Sequence, residues 1–538
     1  MGKSWLPPPM QATNKILTVA SPIGGLNVAN SLADMPPTDA ITMRNWWPQP
    51  YGCTVRKGSQ KWATGLGGPV QTIAKWSSIS GSQKIFAFAT TNLFDISIRG
   101  VVGIPLINDL SNAWWQQTQV VNGAGSHLIM VNGVDNGIIY DETGLNRLVV
   151  GTTAAPYTWI GLDPKDCVEV TSHQSRLWAV KNNTAEAYYL PVSEVWGTFT
   201  LYDFGPLFTK GGYLAQLTTW TIDDGNGAED HLVAVSSQGE AAVFGGTDPS
   251  DITTWQLVGV YNVGAPLPGR RSYAKISGDL VFLTQRGLIS TAAMLVSTKV
   301  KDSVTIKISK IQFLLSEETT LKSELSNWCV DYFPNYNMIM VNIPGANGED
   351  AMQLVANDVL ETQPWSVFSD WNAICWKLMG TTLLYGEPNG IVYEAWTGHQ
   401  DFVELDGTGG TYIDAIVQQA YSYLGEAGTQ KQVDLYRPNF IMTDTGGIAI
   451  STKVNYDFMI SNPTPAGTPS NISTRVFSKW DVAVWDANTW VGPTLFTQNI
   501  WVQAIGLGHV ASMTMASRSN TSVTWISTDF SCKHGGLL

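Results

Sequence analysis

Short apolar strands alternate with polar or glycine-containing turns over most of this chain. Between about residues 70 and 400, seven segments join an apolar strand to a second β-rich strand across such a turn, starting at Lys84, His127, Arg176, His231, Asp279, Asn337 and Thr382. These starts lie roughly 40 to 60 residues apart, a period typical of β-propellers with about four strands per blade. The sequence therefore predicts an all-β fold based on a β-propeller of about six or seven blades.

Ordinary hairpins in β-sandwich domains would give a similar pattern, and this fold is the alternative. In a propeller, the apolar strands occupy equivalent places in successive blades, so their side chains are expected to be buried. The residues that test this expectation are Leu128, Val131, Leu177, Val180, Leu232, Val235, Leu280 and Phe282.

Two later segments depart from the repeat. Phe313, Leu314 and Leu321 recur at helical spacing, which predicts a helical insertion near 303–326. After about residue 410, strands with alternating apolar and polar positions predict a separate C-terminal β-domain at 411–538, which is also a candidate to close a blade. The propeller is thereby assigned to residues 61–410.

The first 60 residues show little periodicity. Pro7-Pro8-Pro9 favours an extended conformation, and we expect residues 1–60 to form an extended arm that becomes ordered against a partner. Within this segment, Thr38 or Asp39 is expected to cap a short helix that ends at Trp46-Trp47-Pro48. The arm has a net positive charge although the chain as a whole is acidic.

Composition narrows the functional classes. Charged residues make up only 14% of a chain that contains 22 Trp, which favours surfaces buried in an assembly. The net charge of −13 argues against a main role in gripping nucleic-acid phosphates. Five widely spaced cysteines are typical of buried thiols in a reducing compartment. Without an apolar signal region or a long apolar run, we expect neither secretion nor membrane insertion.

Motifs for catalysis or metal binding do not occur at usable spacing. The six histidines are scattered singly, and the sequence contains no His-Glu-x-x-His, no Gly-x-Ser-x-Gly and no pair of Cys-x-x-Cys motifs. We therefore predict no enzyme activity, no catalytic residues, no cofactor and no metal. The alternative is a carbohydrate-binding or glycan-cleaving propeller, because some propellers cleave glycans with paired carboxylates.

Acidic residues are concentrated in 311–410, which carries most of the net negative charge. One interpretation is a solvated acidic face. The other is an acidic wall that repels a polyanion and keeps it sliding. Under this second interpretation, Glu349, Asp350 and Asp358 are the candidates to line a channel.

Both ends of the chain carry motifs of a known family. The N-terminal motifs are Gly25-Leu-Asn27, Pro37-Thr-Asp-Ala40, Asn45-Trp-Trp-Pro48 and Val55-Arg-Lys-Gly58. The C-terminal motifs are Tyr423-Leu-Gly-Glu-Ala-Gly428, Arg437-Pro-Asn-Phe440 and Val523-Thr-Trp-Ile-Ser-Thr-Asp-Phe530. Together they resemble the tail nozzle proteins of short-tailed bacteriophages, which are related in role to tail tubular protein B and the packaged-DNA stabilisation proteins.

The resemblance implies a structural protein of the virion tail, present in the host cytoplasm during assembly. Its implied partners are five further copies in a homo-hexamer, a portal-side adaptor protein, and tail fibre or tail needle proteins. Packaged double-stranded DNA would pass through the ring without sequence-specific binding. With the basic arm, this implies adaptor docking through Asn45, Trp46, Trp47, Pro48 and Arg56. The competing hypotheses are a propeller tail protein that recognises host envelope glycans and an intracellular propeller scaffold.

Overall fold

The computed structural model describes residues 14–223, 228–276, 278–292, 307–346, 348–442, 447–456, 496–498 and 501–534. Most of these residues lie in β-strands, which form a propeller and an adjoining β-sandwich. Within the described ranges, no helix is long and apolar enough to cross a membrane.

The N-terminal segment forms five strands before the first blade begins. They are β1 (Lys15–Ala20), β2 (Ala40–Arg44), β3 (Trp46–Gln49), β4 (Gly52–Val55) and β5 (Gly58–Thr64).

Blades one to four follow in chain order, each an antiparallel sheet. Blade one contains β6 (Val70–Ser77), β7 (Gln83–Ala89) and β8 (Asn92–Asp95), followed by the short β9 (Gly100–Val101). Blade two contains β10 (Gln116–Asn122), β11 (Gly125–Val131), β12 (Ile138–Asp141) and β13 (Gly144–Arg147). Blade three contains β16 (Cys167–His173), β17 (Arg176–Lys181), β18 (Glu186–Tyr189) and β20 (Thr200–Asp203). Beside it lies a small parallel sheet of β14 (Val149–Val150), β15 (Thr158–Ile160) and β19 (Gly197–Thr198). Blade four contains β21 (Leu214–Asp223), β22 (Ala228–Ser236), β23 (Glu240–Gly245) and β24 (Gln256–Asn262).

Blades five to seven include a helix and a strand from the N-terminal segment. Blade five contains β25 (Tyr273–Ile276), β26 (Asp279–Thr284) and β27 (Gly287–Ser290), and helix α1 (Gln312–Leu321) packs beside β27. Blade six contains β28 (Cys329–Phe333), β29 (Met338–Ile343), β30 (Met352–Asn357) and β31 (Trp365–Phe368). Blade seven contains β32 (Cys375–Met379), β33 (Thr382–Gly386) and β34 (Val392–Thr397), with β5 as its fourth strand.

Seven separate hydrophobic cores fill the seven interfaces between neighbouring blades. The core between blades one and two includes Phe88 and Trp115, and the core between blades seven and one includes Ile73 and Leu384. The first strands of blades two to four contact one another in order, as do those of blades five to seven, and the first strand of blade seven contacts that of blade one. Gln117 joins blade two to blade one, and β21 of blade four contacts β26 of blade five. The blades therefore form a closed ring of seven.

The propeller predicted from the hairpin repeat is confirmed. Each of the seven predicted hairpins forms the second and third strands of a different blade. All eight apolar residues chosen to test burial are buried, none with more than 1% exposure. The five cysteines are also buried, and none forms a disulfide.

Strands from both ends of the chain form the β-sandwich beside the ring. Its C-terminal strands are β36 (Thr411–Gln419), β37 (Lys431–Met442), β38 (Gly447–Val454), β39 (Phe496–Gln498), β40 (Val502–Gly508), β41 (Ala511–Ser519) and β42 (Val523–His534), and the short β35 (Gln400–Asp401) pairs with β36. One sheet has the order β2-β36-β41-β38 and joins blade six through β31. The other contains β3, β4, β42 and β37, with β1 paired to β42. One core fills the sandwich and continues into blades five and six.

The N-terminal prediction requires correction. Residues 14–60 are extended, but strands β1 to β4 pair within the sandwich and β5 closes blade seven, so this part of the chain is ordered without a partner. Residues 1–13 lie outside the described residues. The helix expected after Thr38 is wrong, because residues 40–44 and 46–49 are strands. The C-terminal domain does not close the ring, since β5 does.

The predicted helical insertion is present as α1, but its buried face differs from the one expected. Leu315 and Thr319 are buried, whereas Phe313 and Leu321 are 69% and 71% exposed. Ile311 precedes the helix by one residue and extends its buried face.

Candidate functional site: the axial cavity

A polar cavity of about 370 Å³ lies on the axis of the propeller. Its wall is formed by first strands of five blades, β6, β10, β25, β28 and β32, and by Arg270 and Arg271. Farther along the axis, β16 and β21 also contribute, with Thr171 and Thr218. The axis therefore combines side chains from all seven blades, which lie far apart in sequence.

Arg271 ties blade five to the opposite side of the ring. One guanidinium nitrogen donates to the carbonyl of Gln71 at 2.8 Å. The other donates to the Thr72 hydroxyl at 2.7 Å and to the Trp115 carbonyl at 3.0 Å. The guanidinium carbon also lies 3.9 Å from the ring centroid of Trp114. Blades one and two are thus bound to the segment that enters blade five.

Arg270 makes the equivalent connection to blades three and four. Its Nη1 donates to the carboxylate of Glu169 at 3.1 Å and to the carbonyl of Ala215 at 2.9 Å. Burial raises the pKa of Glu169 to about 7, against the opposing effect of Arg270. The two arginines together cross the axis and block the cavity at the end where the first strands begin.

Gly269 allows this crossing. Its φ is +102°, and a Cβ at this position would lie 2.0 Å from the carbonyl oxygen of Ser326. The Gly269 carbonyl also accepts hydrogen bonds from the side chains of Trp114, at 3.2 Å, and Gln116, at 3.1 Å. A residue with a side chain would have to displace these contacts, so glycine is required here.

Two glutamines join blade two to blade one in place of a backbone ladder. The Gln117 side chain donates to the Ile73 carbonyl at 2.8 Å and accepts from the Lys75 amide at 3.2 Å. Gln119 makes the same paired contact with both backbone groups of Ser77, at 2.8 and 3.0 Å. Each amide side chain satisfies two backbone groups that face the neighbouring blade.

Charged groups on the cavity wall give it positive character. Lys377 on β32 and Asp331 on β28 both contribute to the wall, and Lys275 on β25 is exposed farther along the axis. Burial lowers the pKa of Lys377 to about 8 despite the nearby Asp331, and burial raises the pKa of Asp331 to about 6. The arrangement favours a bound anion over a bound cation.

The five predicted adaptor-docking residues are buried within the chain, so they do not form a docking surface. Asn45, Trp46 and Arg56 are fully buried, Trp47 is 4% exposed, and Pro48 is buried as well. Arg56 donates to both carboxylate oxygens of Asp401, at 2.9 and 2.6 Å, and its Nε donates to the Asn45 side chain at 2.9 Å. These residues hold the N-terminal segment against blade seven. Aromatic residues with little surrounding charge are typical of a protein core as well as of an interface, which is why the sequence wrongly indicated a docking surface here.

The three channel-lining candidates do not form one cluster. Glu349 and Asp350 are exposed in the turn between β29 and β30. Asp358 begins the turn after β30, at the opposite end of blade six, where its amide donates to the Asn337 carbonyl at 2.8 Å. All three lie outside the first strand of the blade and so away from the propeller axis. That they line a channel between subunits stays a prediction.

The axial residues were missed in the sequence. Arg270-Arg271 follows Pro268-Gly269 directly, and Lys377 interrupts an apolar strand. Two adjacent arginines after a glycine, and a lysine in a buried strand, are signals that could have found them. Among the described residues, no group of three or more His, Cys, Asp or Glu side chains is placed to hold a metal ion.

Comparison with known proteins adds little to this description. No family model and no curated protein matches the chain. Among solved structures, BBS1N in complex with ARL6DN is 9% identical, covers 64% of this chain and 98% of its own, and has a TM-score of 0.38. The Swd1 β-propeller domain of Myceliophteria thermophila is 11% identical, with coverage of 62% and 98% and a TM-score of 0.35. YCF48 bound to a D1 peptide is 11% identical, with coverage of 68% and 99% and a TM-score of 0.33.

Proposed function

We propose that this β-propeller protein is a structural virion protein that forms the hexameric tail nozzle of a short-tailed phage. In this role it docks under the head-tail adaptor, retains packaged double-stranded DNA and conducts it during ejection. The main support is that the segments with the family resemblance, from opposite ends of the chain, meet in one domain. Strand β3, which carries Trp46, Trp47 and Pro48, lies in one sheet with β42, which carries the motif at 523–530. In that sheet β4 pairs directly with β42, and the Asp529 carboxylate accepts hydrogen bonds from Arg437 at 2.9 Å and Asn439 at 3.2 Å in the other C-terminal motif.

The N-terminal motifs are joined in the same way. Arg56 of the Val-Arg-Lys-Gly motif donates to Asn45 of the Asn-Trp-Trp-Pro motif, and both lie against Ser369 in the connection from blade six to blade seven. These two N-terminal motifs thus fix the sandwich to the propeller. This is the role expected of residues that maintain a rigid building block of an assembly.

In this proposal, DNA passes along the axis of the hexamer and not through a propeller. Arg270 and Arg271 cross the propeller axis, and the cavity of about 370 Å³ beside them is far too small for a duplex. Partners are the adaptor, further copies of this chain, and tail fibre or tail needle proteins. No catalytic role is assigned to any residue.

Deletion of residues 1–13 tests adaptor docking. The first described strand starts at Lys15, so the deletion leaves the pairing of β1 with β42 intact. We expect a folded protein that no longer joins tails, measured by protein content of particles assembled with the truncated chain and with the full chain. If the truncated chain still completes infectious particles, residues 1–13 are not needed for docking. Absence of the full-length chain from phage tails would overturn the proposed function itself.

The two ends of blade six allow a separate test of the acidic channel. One variant carries Glu349→Lys and Asp350→Lys, and the other carries Asp358→Lys. Added lysines on the DNA path attract phosphates in all six subunits, so the variant that faces the channel should slow ejection while assembly continues. Ejection kinetics that match the unmodified protein in both variants would show that neither end faces DNA.

A further inference from the structure

The wall of the axial cavity carries more positive than negative charge. Arg270 is paired with the carboxyl group of Glu169, at 3.1 Å. Arg271 and Lys377 remain on the wall of this cavity without an ion pair, Asp331 is its acidic group, and Lys275 lies farther along the axis. This excess of positive charge arises in a chain with a net charge of −13, so it does not reflect the composition of the protein.

Lys377 has no partner that neutralises it. Among the described residues, its ammonium group forms no hydrogen bond and no ion pair within 4.0 Å, and Asp331 lies beyond that distance. Its pKa of about 8 leaves the amine largely protonated at pH 7. Lys377 lines the cavity and is only partly buried, so an ion in the cavity can reach its side chain.

Arg271 is also without an ion pair. Its guanidinium donates to the Gln71 and Trp115 carbonyls and to the Thr72 hydroxyl, all of which are neutral. Its charge therefore acts on the cavity together with that of Lys377. Farther along the axis, the exposed Lys275 adds another positive charge.

We propose that the axial cavity binds one inorganic phosphate ion, held by Lys377 and by the positive field of Arg271. A tetrahedral oxyanion suits this wall because it accepts several hydrogen bonds at once, and Gln117 and Tyr273 also line the cavity. The volume of about 370 Å³ leaves room for the ion and its waters, and the arginine crossing excludes a polymer. The ion would stabilise the ring at the point where its seven blades meet.

Equilibrium dialysis of the full-length protein against radiolabelled inorganic phosphate at pH 7 tests the site. We expect one saturable phosphate per chain. Lys377→Met should raise the Kd at least tenfold. Lys165→Met is the matched control, because it removes the same charge from an exposed turn outside the cavity, and it should leave the Kd unchanged. The absence of saturable binding, or equal binding by Lys377→Met, would overturn the proposal.

A second readout keeps the test decisive if Lys377→Met fails to fold. A ligand that binds only the folded state raises the Tm with its concentration. Phosphate should therefore raise the Tm of the unmodified protein and of Lys165→Met, and Lys275→Met should show a smaller rise with an approximately threefold higher Kd. If chloride at the same ionic strength raises the Tm equally, the effect is not specific to an oxyanion and the phosphate site is rejected. These outcomes do not depend on the role of the chain in a tail.

Discussion

The outer edges of the seven blades fall into two groups. In four blades another element covers the outer edge. Residues 106–110 cover blade one, helix α1 covers blade five, and β2 covers blade six. Strand β9 and the chain at Val403 cover blade seven. We call these the covered blades. In blades two, three and four, the described ladder ends at the fourth strand. We call these the open blades.

The difference extends into the cores. The covered blades five and six share one continuous core with the sandwich, whereas each interface among the open blades has a separate core. Arg270 ties the open blades three and four across the axis, and Arg271 ties the open blade two together with the covered blade one. The axial ties therefore serve both groups, whereas the outer contacts are confined to the covered blades. Four predictions test this comparison.

The largest effect is expected at the junction of the sandwich and the covered blades. Arg56→Met leaves the buried Asp401 carboxylate without its partner, so the free energy of unfolding should fall by about 3–5 kcal/mol, measured by urea denaturation. Arg518→Met is the control, because its ion pair with Asp414 is half-exposed and should contribute at most about 1 kcal/mol. Similar losses in both variants would contradict a special role for this junction.

The next prediction concerns pH and the tie to the open blades. Burial raises the pKa of Glu169 to about 7, so the neutral form is favoured in the folded state. Its stabilising contribution is complete below the unfolded pKa of about 4.5 and is lost as pH rises through 7, with a total of about 3 kcal/mol. Glu169→Gln should remove this part of the pH dependence, measured as Tm between pH 5 and 8.

Asp529 in the sandwich provides the contrast. Burial opposes its ionisation, but hydrogen bonds from Thr18, Arg437 and Asn439 lower its pKa overall. Its contribution is therefore present above the unfolded pKa and is lost only as pH falls through the lower folded pKa. Asp529→Asn should leave the slope between pH 5 and 8 unchanged. A changed slope in this variant, or an unchanged one in Glu169→Gln, would reverse the assignment.

A smaller effect is expected where the open blade two joins the covered blade one. Gln119→Leu removes two hydrogen bonds to Ser77, and we expect a loss of about 1–2 kcal/mol in urea denaturation. Thr118→Val, between the two glutamines on the same strand, should change stability by less than about 0.5 kcal/mol. If both variants behave alike, the amide contacts do not hold the blades together.

The smallest effect is expected on an open edge itself. Val258 on β24 is 48% exposed, so Val258→Lys should change the free energy of unfolding by less than about 0.5 kcal/mol. Val367 on β31 is the covered counterpart, since β2 pairs with it through Arg44. Val367→Lys should lower the free energy of unfolding by at least about 1 kcal/mol, because the lysine side chain would lie against the edge that β2 covers. Equal costs would abolish the distinction between open and covered blades.

The local sequence pattern predicted the blades but not the distant strands and side chains that hold them together. The strands around Leu128 and Leu232 are adjacent to their partners in sequence, so a hairpin pattern identifies them. Lys15 pairs with Cys532, at the other end of the chain, and no local signal identifies such a partner. The axial site was missed for the same reason, because Glu169 and Arg270 become neighbours only when the ring closes.

Ring closure by β5 has a consequence for the newly made chain. Residues 58–64 leave the ribosome early, but their partner β34 follows about 330 residues later. At the usual 5–20 residues per second, this strand waits roughly 15 to 65 seconds before it can pair. During that interval its backbone donors and acceptors are open to other chains, so translation speed and chaperone access set the yield of correctly closed rings.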